Sequence, residues 1–259
     1  MKESNNKSNE NLRNLYNNVY KDGKLNFFTF DTGNMNDQVL NLDIFDGKKV
    51  LDFGCGQGEV DYDLVTKKGA KEVLAIDYSE EAIKIAKEKN SHPNIRFECK
   101  TYTDVNEKFD IIISIGVLEH TNNPFEVLKF LKNLLNENGK IVQICPSFLN
   151  IRGYIWMTLN TLFNVPMSLS DIHFISPFDF EEFSKKLDMD LEWKTFDYSL
   201  GNSDKMIVDM TKRLTNALRD AKMDNSKVPD LMEWLKKASK YENDFKHTGA
   251  SGLYILSLK

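Results

Sequence analysis

Residues 50–60 read VLDFGCGQGEV, an apolar run that passes directly into a glycine-rich segment. Val50, Leu51 and Phe53 suit a strand that is covered on both faces of a sheet. The three glycines that follow allow a tight turn in which the backbone can approach a ligand without side-chain obstruction. The segment therefore predicts a buried strand that ends in a ligand-binding turn.

The chain after this turn completes a strand–helix–strand unit. Val60, Leu64 and Val65 recur at helical spacing, and Gly69 provides a stop for that helix. A second strand, EVLAI at 72–76, then closes on Asp77. Ligands of open α/β sheets bind at the carboxyl ends of the strands, where the Asp77 carboxylate can accept both hydroxyls of a ribose.

The charge around the turn distinguishes between two adenosine-type ligands. A dinucleotide favours G-x-G-x-x-G, because its pyrophosphate sits on the helix N-terminus, yet the third glycine position here is Glu59. Together with Asp52, this acid would repel a pyrophosphate and tolerate a cation. S-adenosylmethionine (SAM) carries an ammonium and a sulfonium and no phosphate, so it is the expected ligand.

A second motif lies further along the chain. Phe109 and Asp110 precede an apolar strand at 111–115, and Leu-Glu-His follows at 118–120. The stretch NNPFEVLKFLKNLLNENGKIVQICP at 122–146 predicts a helix capped by Asn123, with an apolar face that extends to Leu134 and Leu135, and then a strand from Lys140 to Ile144.

With these motifs, residues 49 to about 147 resemble the class I SAM-dependent methyltransferases, in the small-molecule branch with a GxGxG loop and an LEH signature. The resemblance implies an α/β, Rossmann-like fold. Its sheet would have seven mostly parallel strands with a final antiparallel strand, and the fold would carry helical inserts.

The resemblance also implies which residues hold the cofactor. They are Asp52, Gly54, Cys55, Gly56, Asp77, Tyr78, Thr101, Tyr102, Ser114 and Ile115. Relatives usually place an acid at the tip of the third crossover, where this chain reads CKTYTD at 99–104. Thr101 with the Tyr102 backbone would substitute for that acid, or Asp104 would swing in. Ser114 and Ile115 are expected to follow the fourth strand and line the methionine end.

Two histidines are candidates for a catalytic base, which a hydroxyl acceptor needs in order to lose its proton. His120 follows the fourth strand and His173 lies in SDIHFISP, with Glu119 or Asp171 available to orient either ring. Each also has a structural interpretation, in which His120 packs at a helix start and His173 supports a loop. No metal site is expected.

The domain organisation follows from the same pattern. An N-terminal flap and helix occupy 1–48, and the SAM-binding core runs over 49–200 with an insert at about 149–175. A helical insert at 201–248 shapes the acceptor pocket or a subunit contact of a homodimer, and 249–259 is the closing strand. In the first insert, a helix at 151–163 would bury Ile151, Tyr154, Ile155, Leu159, Leu162 and Phe163 on one side, with Pro166 breaking it.

Composition excludes several partners. The net charge of −5, with lysines that alternate with acids, argues against nucleic acid. Three cysteines without paired spacing predict reduced thiols in a cytoplasmic protein. The apolar region at 151–165 falls short of the ~20 residues of a membrane span, and the polar N-terminus lacks the core of a signal peptide.

The acceptor is the least constrained expectation. The stretches RGYIW at 152–156 and DIHFISP at 171–177 resemble methyltransferases of sugars or nucleotide-linked precursors, including phosphoramidates, of bacterial surface polysaccharides. Alternatives are a quinone-type or lipid-like O-methyltransferase and an amine N-methyltransferase. Two further alternatives lie outside the methyltransferases: an NAD-dependent oxidoreductase and a non-catalytic SAM-binding module.

Overall fold

The computed structural model describes Asn14, Asn17 and residues 33–165, 172–239 and 247–258. Most of the expected N-terminal flap, together with Pro166 and Asp171, lies outside these residues.

The described residues form one seven-stranded sheet with the order β3-β2-β1-β4-β5-β7-β6. Its strands are β1 (Lys49–Phe53), β2 (Glu72–Asp77), β3 (Ile95–Cys99), β4 (Phe109–Ile115), β5 (Leu135–Pro146), β6 (Met189–Phe196) and β7 (Ser251–Leu258). All neighbouring pairs from β3 to β5 are parallel, whereas β7 runs antiparallel to both β5 and β6. The expected fold class, with its final antiparallel strand, is confirmed.

Helices connect the strands and build the inserts. They are α1 (Gly33–Leu40), α2 (Glu59–Thr66), α3 (Glu80–Lys89), α4 (Pro124–Asn133), α5 (Ile151–Phe163), α6 (Pro177–Leu187), α7 (Tyr198–Asn202), α8 (Asp204–Asp220) and α9 (Val228–Ala238). Short 3-10 turns cover Tyr102–Asp104 and Leu118–His120. Ser79 caps α3 and Asn123 caps α4, each accepting a backbone N–H as the sequence predicts.

Two apolar layers enclose the sheet. One face packs Leu51, Ile112 and Ile141 against α4 and α6, and the other packs Val50 and Ile113 against α2 and α3. Alternate residues of one strand therefore enter opposite layers, as expected for a sheet that is covered on both sides. A third cluster, formed by the inserts, includes Phe148, Trp156, Met206, Met210 and Met232.

Two expectations about local structure are wrong. Helix α4 ends at Asn133, and β5 already begins at Leu135, which pairs with Phe109 ahead of an irregularity in the ladder. Leu134 and Leu135 are thus buried apolar residues that continue the helical spacing by coincidence. The apolar side of α5 is also misassigned, since Tyr154, Leu162 and Phe163 are more than half exposed while Trp156 is fully buried.

Candidate cofactor and acceptor site

The strand order reverses between β1 and β4, and a crevice opens at this position. The two strands pair only from Val50–Ile111 to Asp52–Ile113. Beyond that register, β1 enters the glycine turn, while β4 continues along β5 through Ile115. Such a reversal point is where open α/β sheets bind ligands, outside the carboxyl ends of the strands.

Backbone and side-chain hydrogen bonds fix the glycine turn in place. The amides of Gly54 and Cys55 both donate to the Ile76 carbonyl, at 2.8 and 3.0 Å. The Asn90 side chain, at the end of α3, donates to the Gln57 carbonyl at 2.8 Å. The turn is therefore rigid before a ligand arrives.

Two of the turn glycines are required by close packing as well as by backbone conformation. A Cβ on Gly54 would lie 2.4 Å from Cγ2 of Val117, and one on Gly58 would lie 2.5 Å from the Phe97 ring. Both residues also have positive φ angles, +84° and +77°. A side chain at either position would have to displace the Val117 side chain, two residues after β4, or the Phe97 ring of β3.

Asp77 lies at the end of β2 and joins it to the turn. Its Oδ2 accepts the Gly56 amide at 3.1 Å, and its Oδ1 accepts the Ser79 amide at 2.8 Å. Burial raises the pKa of Asp77, and the amides of Ser79, Gly56 and Tyr78 partly offset this effect. Each carboxylate oxygen has a second acceptor position, so Asp77 retains the capacity to bind hydroxyls.

The segment after β3 contains the residues expected at the adenine end. Thr101 is exposed, and its hydroxyl and amide both donate to Oδ2 of Asp104, at 3.0 and 3.3 Å. Asp104 therefore caps its own turn, which favours Thr101 and the Tyr102 backbone as the substitute for the missing acid. The ring of Tyr102 packs edge-on against Phe53 and Phe130 in the core, which leaves its backbone as the group that can reach a ligand.

Tyr78 is half-buried and connects the β2 end to β3. Its carbonyl accepts the Cys99 thiol at 3.7 Å, and the neighbouring Asp77 carbonyl accepts the Lys100 amide at 3.1 Å. The structure thus brings Tyr78 and the 101–102 segment to the same edge of the sheet.

The carboxyl end of β4 differs from the expected arrangement in one respect. Ser114 and Ile115 do not follow the strand but are its last two residues, paired with Gln143 and Ile144 of β5. Their backbone on the side facing β1 lies past the last β1–β4 pair, so it borders the crevice. Gly116, with φ of +66°, then turns the chain towards the Leu118–His120 segment.

The structure brings the two candidate histidines together. The amides of Ile172 and His173 both donate to the Glu119 carbonyl at 3.1 Å, which places His173 beside the segment that carries His120. Nε2 of His173 lies 3.2 Å from the Asn122 carbonyl oxygen, and both rings are half-buried. By contrast, His92 precedes β3 and contacts Tyr62, and His247 packs against Trp193.

The described ranges contain no group of three His, Cys, Asp or Glu side chains that could hold a metal ion. Nor does that part of the chain include a helix long and apolar enough to cross a membrane.

A model for a methyltransferase domain family matches residues 44–171, which contain the glycine turn, Asp77 and the β4 end. Residues 44–171 are therefore similar to a methyltransferase domain, and the sheet that carries them has the Rossmann-like methyltransferase fold. The cofactor of this domain is S-adenosylmethionine.

Two curated relatives are similar to this methyltransferase domain in sequence. The mitochondrial ubiquinone biosynthesis O-methyltransferase of Saccharomyces cerevisiae is 38% identical over 107 residues, covering 39% of this chain and 34% of the yeast protein. The ubiquinone biosynthesis O-methyltransferase of Glaesserella parasuis is 32% identical over 157 residues, covering 57% of this chain and 63% of that protein. The chain therefore spans between a third and two thirds of the curated relatives that it matches.

Solved structures share the fold at low sequence identity. A chain in the complex between the Trm112 methyltransferase activator and a methyltransferase of Haloferax volcanii has a TM-score of 0.61 at 14% identity, covering 93% of this chain and 96% of that one. The cyclopropane synthase MmaA2 from Mycobacterium tuberculosis has a TM-score of 0.56 at 16% identity, covering 86% and 82%. Both likenesses concern the architecture alone.

The observed groups fit the cofactor. Gly56 keeps side chains away from the crevice, Asp77 offers acceptors for a ribose, and Asp52 contributes buried negative potential suited to a cationic amino acid end. Glu59 is exposed, so its charge is screened by solvent and contributes less than the sequence argument assigns to it.

Two residues of this methyltransferase site are missed by sequence reasoning. Asp61, on α2, is fully buried beside Asp52, and Asn17 accepts a hydrogen bond from the Ser79 hydroxyl at 2.7 Å. A signal for Asp61 exists, since it lies on the same helical face as Leu64, three residues later. Nothing in the local pattern around Asn17 indicates its contact with residue 79.

Proposed function

We propose that the protein transfers the methyl group of SAM to a hydroxyl oxygen of an aromatic, quinol-type acceptor. The observation that carries this proposal is the 32% identity over 157 residues with a protein named ubiquinone biosynthesis O-methyltransferase. Since a quinone oxygen has no proton to exchange for a methyl group, the acceptor is the reduced, phenolic form.

The surroundings of the β4 and β5 ends support a flat, apolar acceptor. Phe148 lies two residues after β5 and contacts Phe174 edge-on, with ring centroids 5.5 Å apart. Phe174 is adjacent to His173, so an aromatic pair lies next to a candidate base. Phe148 belongs to the third apolar cluster, in which Trp156 and Met206 are fully buried, and Phe174 lies half-buried against that cluster. The Phe174 ring is therefore the aromatic surface that can contact a planar ligand.

The protein's own contribution to the reaction is positioning and proton transfer. SAM supplies an activated methyl group on its sulfonium. The rigid turn and Asp77 orient the cofactor, and the insert shields the reacting oxygen from water, which favours an in-line displacement. A phenol has a pKa of about 10 and is therefore mostly protonated at neutral pH. A nearby histidine can accept its proton and so accelerate the reaction.

The sugar or nucleotide-linked acceptor that the sequence suggests has weaker support. The two relatives described above are named for ubiquinone biosynthesis and not for a polysaccharide, which favours the quinone-type alternative. An amine acceptor has no specific support among the described side chains.

A competition assay tests the acceptor class. The purified protein is incubated with methyl-labelled SAM and, separately, a catechol or quinol analogue, a nucleotide sugar and a primary amine. We expect label in the phenolic product and release of S-adenosylhomocysteine (SAH) at the same rate. Label in the sugar or the amine alone would reject the proposal.

Removal of the candidate bases tests the mechanism. We expect His120→Ala or His173→Ala to lower kcat by roughly 10²-fold, because general-base assistance is typically worth 10²–10⁴-fold. Affinity for SAH should stay unchanged, since neither ring belongs to the proposed cofactor contacts. His92→Ala is the matched control and should retain full activity. Full activity in both test variants would exclude a histidine base.

A further inference from the structure

Two buried carboxyl groups face each other beside the glycine turn. Asp52 lies on β1 and is 3% exposed, and Asp61 lies on α2 and is 0% exposed. The two carboxyl groups lie within interaction range of one another. At hydrogen-bonding range, two carboxyl oxygens attract each other only when one of them carries a proton.

The surroundings provide little to compensate a second negative charge. Both oxygens of Asp61 are buried, and within the described residues no hydrogen-bond donor other than the amide of Asp61 itself acts on them. Asp77 on β2 and Cys55 in the turn are the titratable groups that face the pair, and Asp77 adds negative charge. Within the described chain, charged side chains of α1, β3 and β4 do not act on either carboxyl.

Burial therefore favours the singly protonated pair. It raises the pKa of Asp61 to about 7 and the pKa of Asp52 well above its usual range, with repulsion from Asp61 contributing to the second shift. The proton belongs to the pair, so the two carboxyl groups titrate together and not as separate groups.

We propose that Asp61 is a positioning residue for cofactor recognition: it shares a proton with Asp52, and the pair releases that proton when the cationic amino acid end of the cofactor binds. The ammonium compensates the second negative charge of the pair, which the buried site does not stabilise by itself. Both carboxyl groups are therefore ionised only in the bound state. This inference rests on the cofactor assignment and is independent of the acceptor.

Linkage fixes the direction of the pH dependence. Because the bound state holds fewer protons than the free state, affinity rises with pH. Below the pKa of the pair, affinity should fall by close to tenfold for each pH unit, and above that pKa it should level off.

Calorimetric titration with SAH, whose ammonium is that of the cofactor, tests the inference. Titrations in buffers of different ionisation enthalpy count the protons released at pH 6, 7 and 8. We expect the wild-type protein to release close to one proton at pH 6 and less at pH 8. Proton release of zero at all three values, or affinity independent of pH, would overturn the proposal without any variant.

The Asp61→Asn variant tests whether the released proton comes from the Asp52–Asp61 pair. The amide introduced at position 61 can donate to Asp52, so this variant should release no proton and change its SAH affinity less than twofold between pH 6 and 8. Asp77 is intact in the variant, so persistent proton release would identify Asp77 as the source and overturn the proposal. Asp63→Asn, on the same helix and paired with Lys67, is the matched control and should behave like the wild type.

Failure of this proposal and failure of the proposed function are separable. If the protein binds SAH with proton release but does not methylate a quinol, the inference about Asp52 and Asp61 stands and the proposed acceptor is wrong. If the protein binds no SAH, both the cofactor assignment and this inference are wrong.

Discussion

Gly58 illustrates how one residue supports both the turn and the sheet. Its φ of +77° and the 2.5 Å approach of a Cβ to the Phe97 ring act against any side chain. We expect Gly58→Ala to cost about 2–4 kcal/mol, combining about 1–2 kcal/mol of backbone strain with a similar cost of overpacking. Urea unfolding of the unliganded protein measures this loss.

Gly47 provides the matched control for that prediction. It has a φ of +69°, close to that of Gly58, but nothing lies within 4 Å of the position that a Cβ would take. Gly47→Ala should therefore lose only the backbone contribution, about 1–2 kcal/mol. Equal losses in the two variants would show that Phe97 gives way at no cost.

The two inserts are joined by a buried charge cluster. Asp209 on α8 accepts Nε of Arg152 on α5 at 2.9 Å and Nε of Arg213 at 2.8 Å, and Arg152 and Asp209 are both buried. Removing one partner of a buried ion pair leaves the other charge uncompensated by that partner, which costs about 3–5 kcal/mol. Asp209→Ala should lower the free energy of unfolding by about 3 kcal/mol, measured by urea denaturation.

An exposed pair on the same helix serves as the control for Asp209. Asp220 contacts Arg219 with both side chains about 60% exposed, so Asp220→Ala should change stability by less than about 1 kcal/mol. A loss after Asp209→Ala that is no larger than the loss after Asp220→Ala would show that the inserts are held by their apolar contacts alone.

Helices and strands of the core could be predicted from local patterns, and the exceptions have a common cause. The bounds of α5 were predicted to the residue, yet its buried side was not, because α8 and α9 of the second insert cover the Trp156 side. Likewise, Leu134 and Leu135 fit the helical period of α4, but Leu135 already belongs to β5 and pairs with β4. Periodicity reports that a residue is apolar and does not report which partner covers it.

The candidate site was predictable where it lies within one crossover. The turn glycines, Asp52 and Asp77 are adjacent in sequence or separated by a single helix, and their grouping follows from the βαβ unit. The contact between Ser79 and Asn17 spans 62 residues, and the approach of His173 to Glu119 spans an insert. The sequence nominated both histidines but could not bring them together, since that proximity depends on how the whole chain folds.

The whole molecule should respond to the cofactor as one unit, because the binding crevice lies between the two halves of the sheet. SAH at 100 times its dissociation constant adds about 2.7 kcal/mol to the stability of a protein that binds it only when folded. For a chain of this size, that corresponds to a rise in Tm of roughly 5–10 °C.

NAD should leave Tm unchanged, because its pyrophosphate would face the buried carboxyls of Asp52 and Asp61. The thermal shift is checked by calorimetry, with Asp77→Asn expected to reduce the shift caused by SAH. A shift with NAD and none with SAH would mean that the crevice accepts a polyanion, and the electrostatic basis of the cofactor assignment would then be wrong.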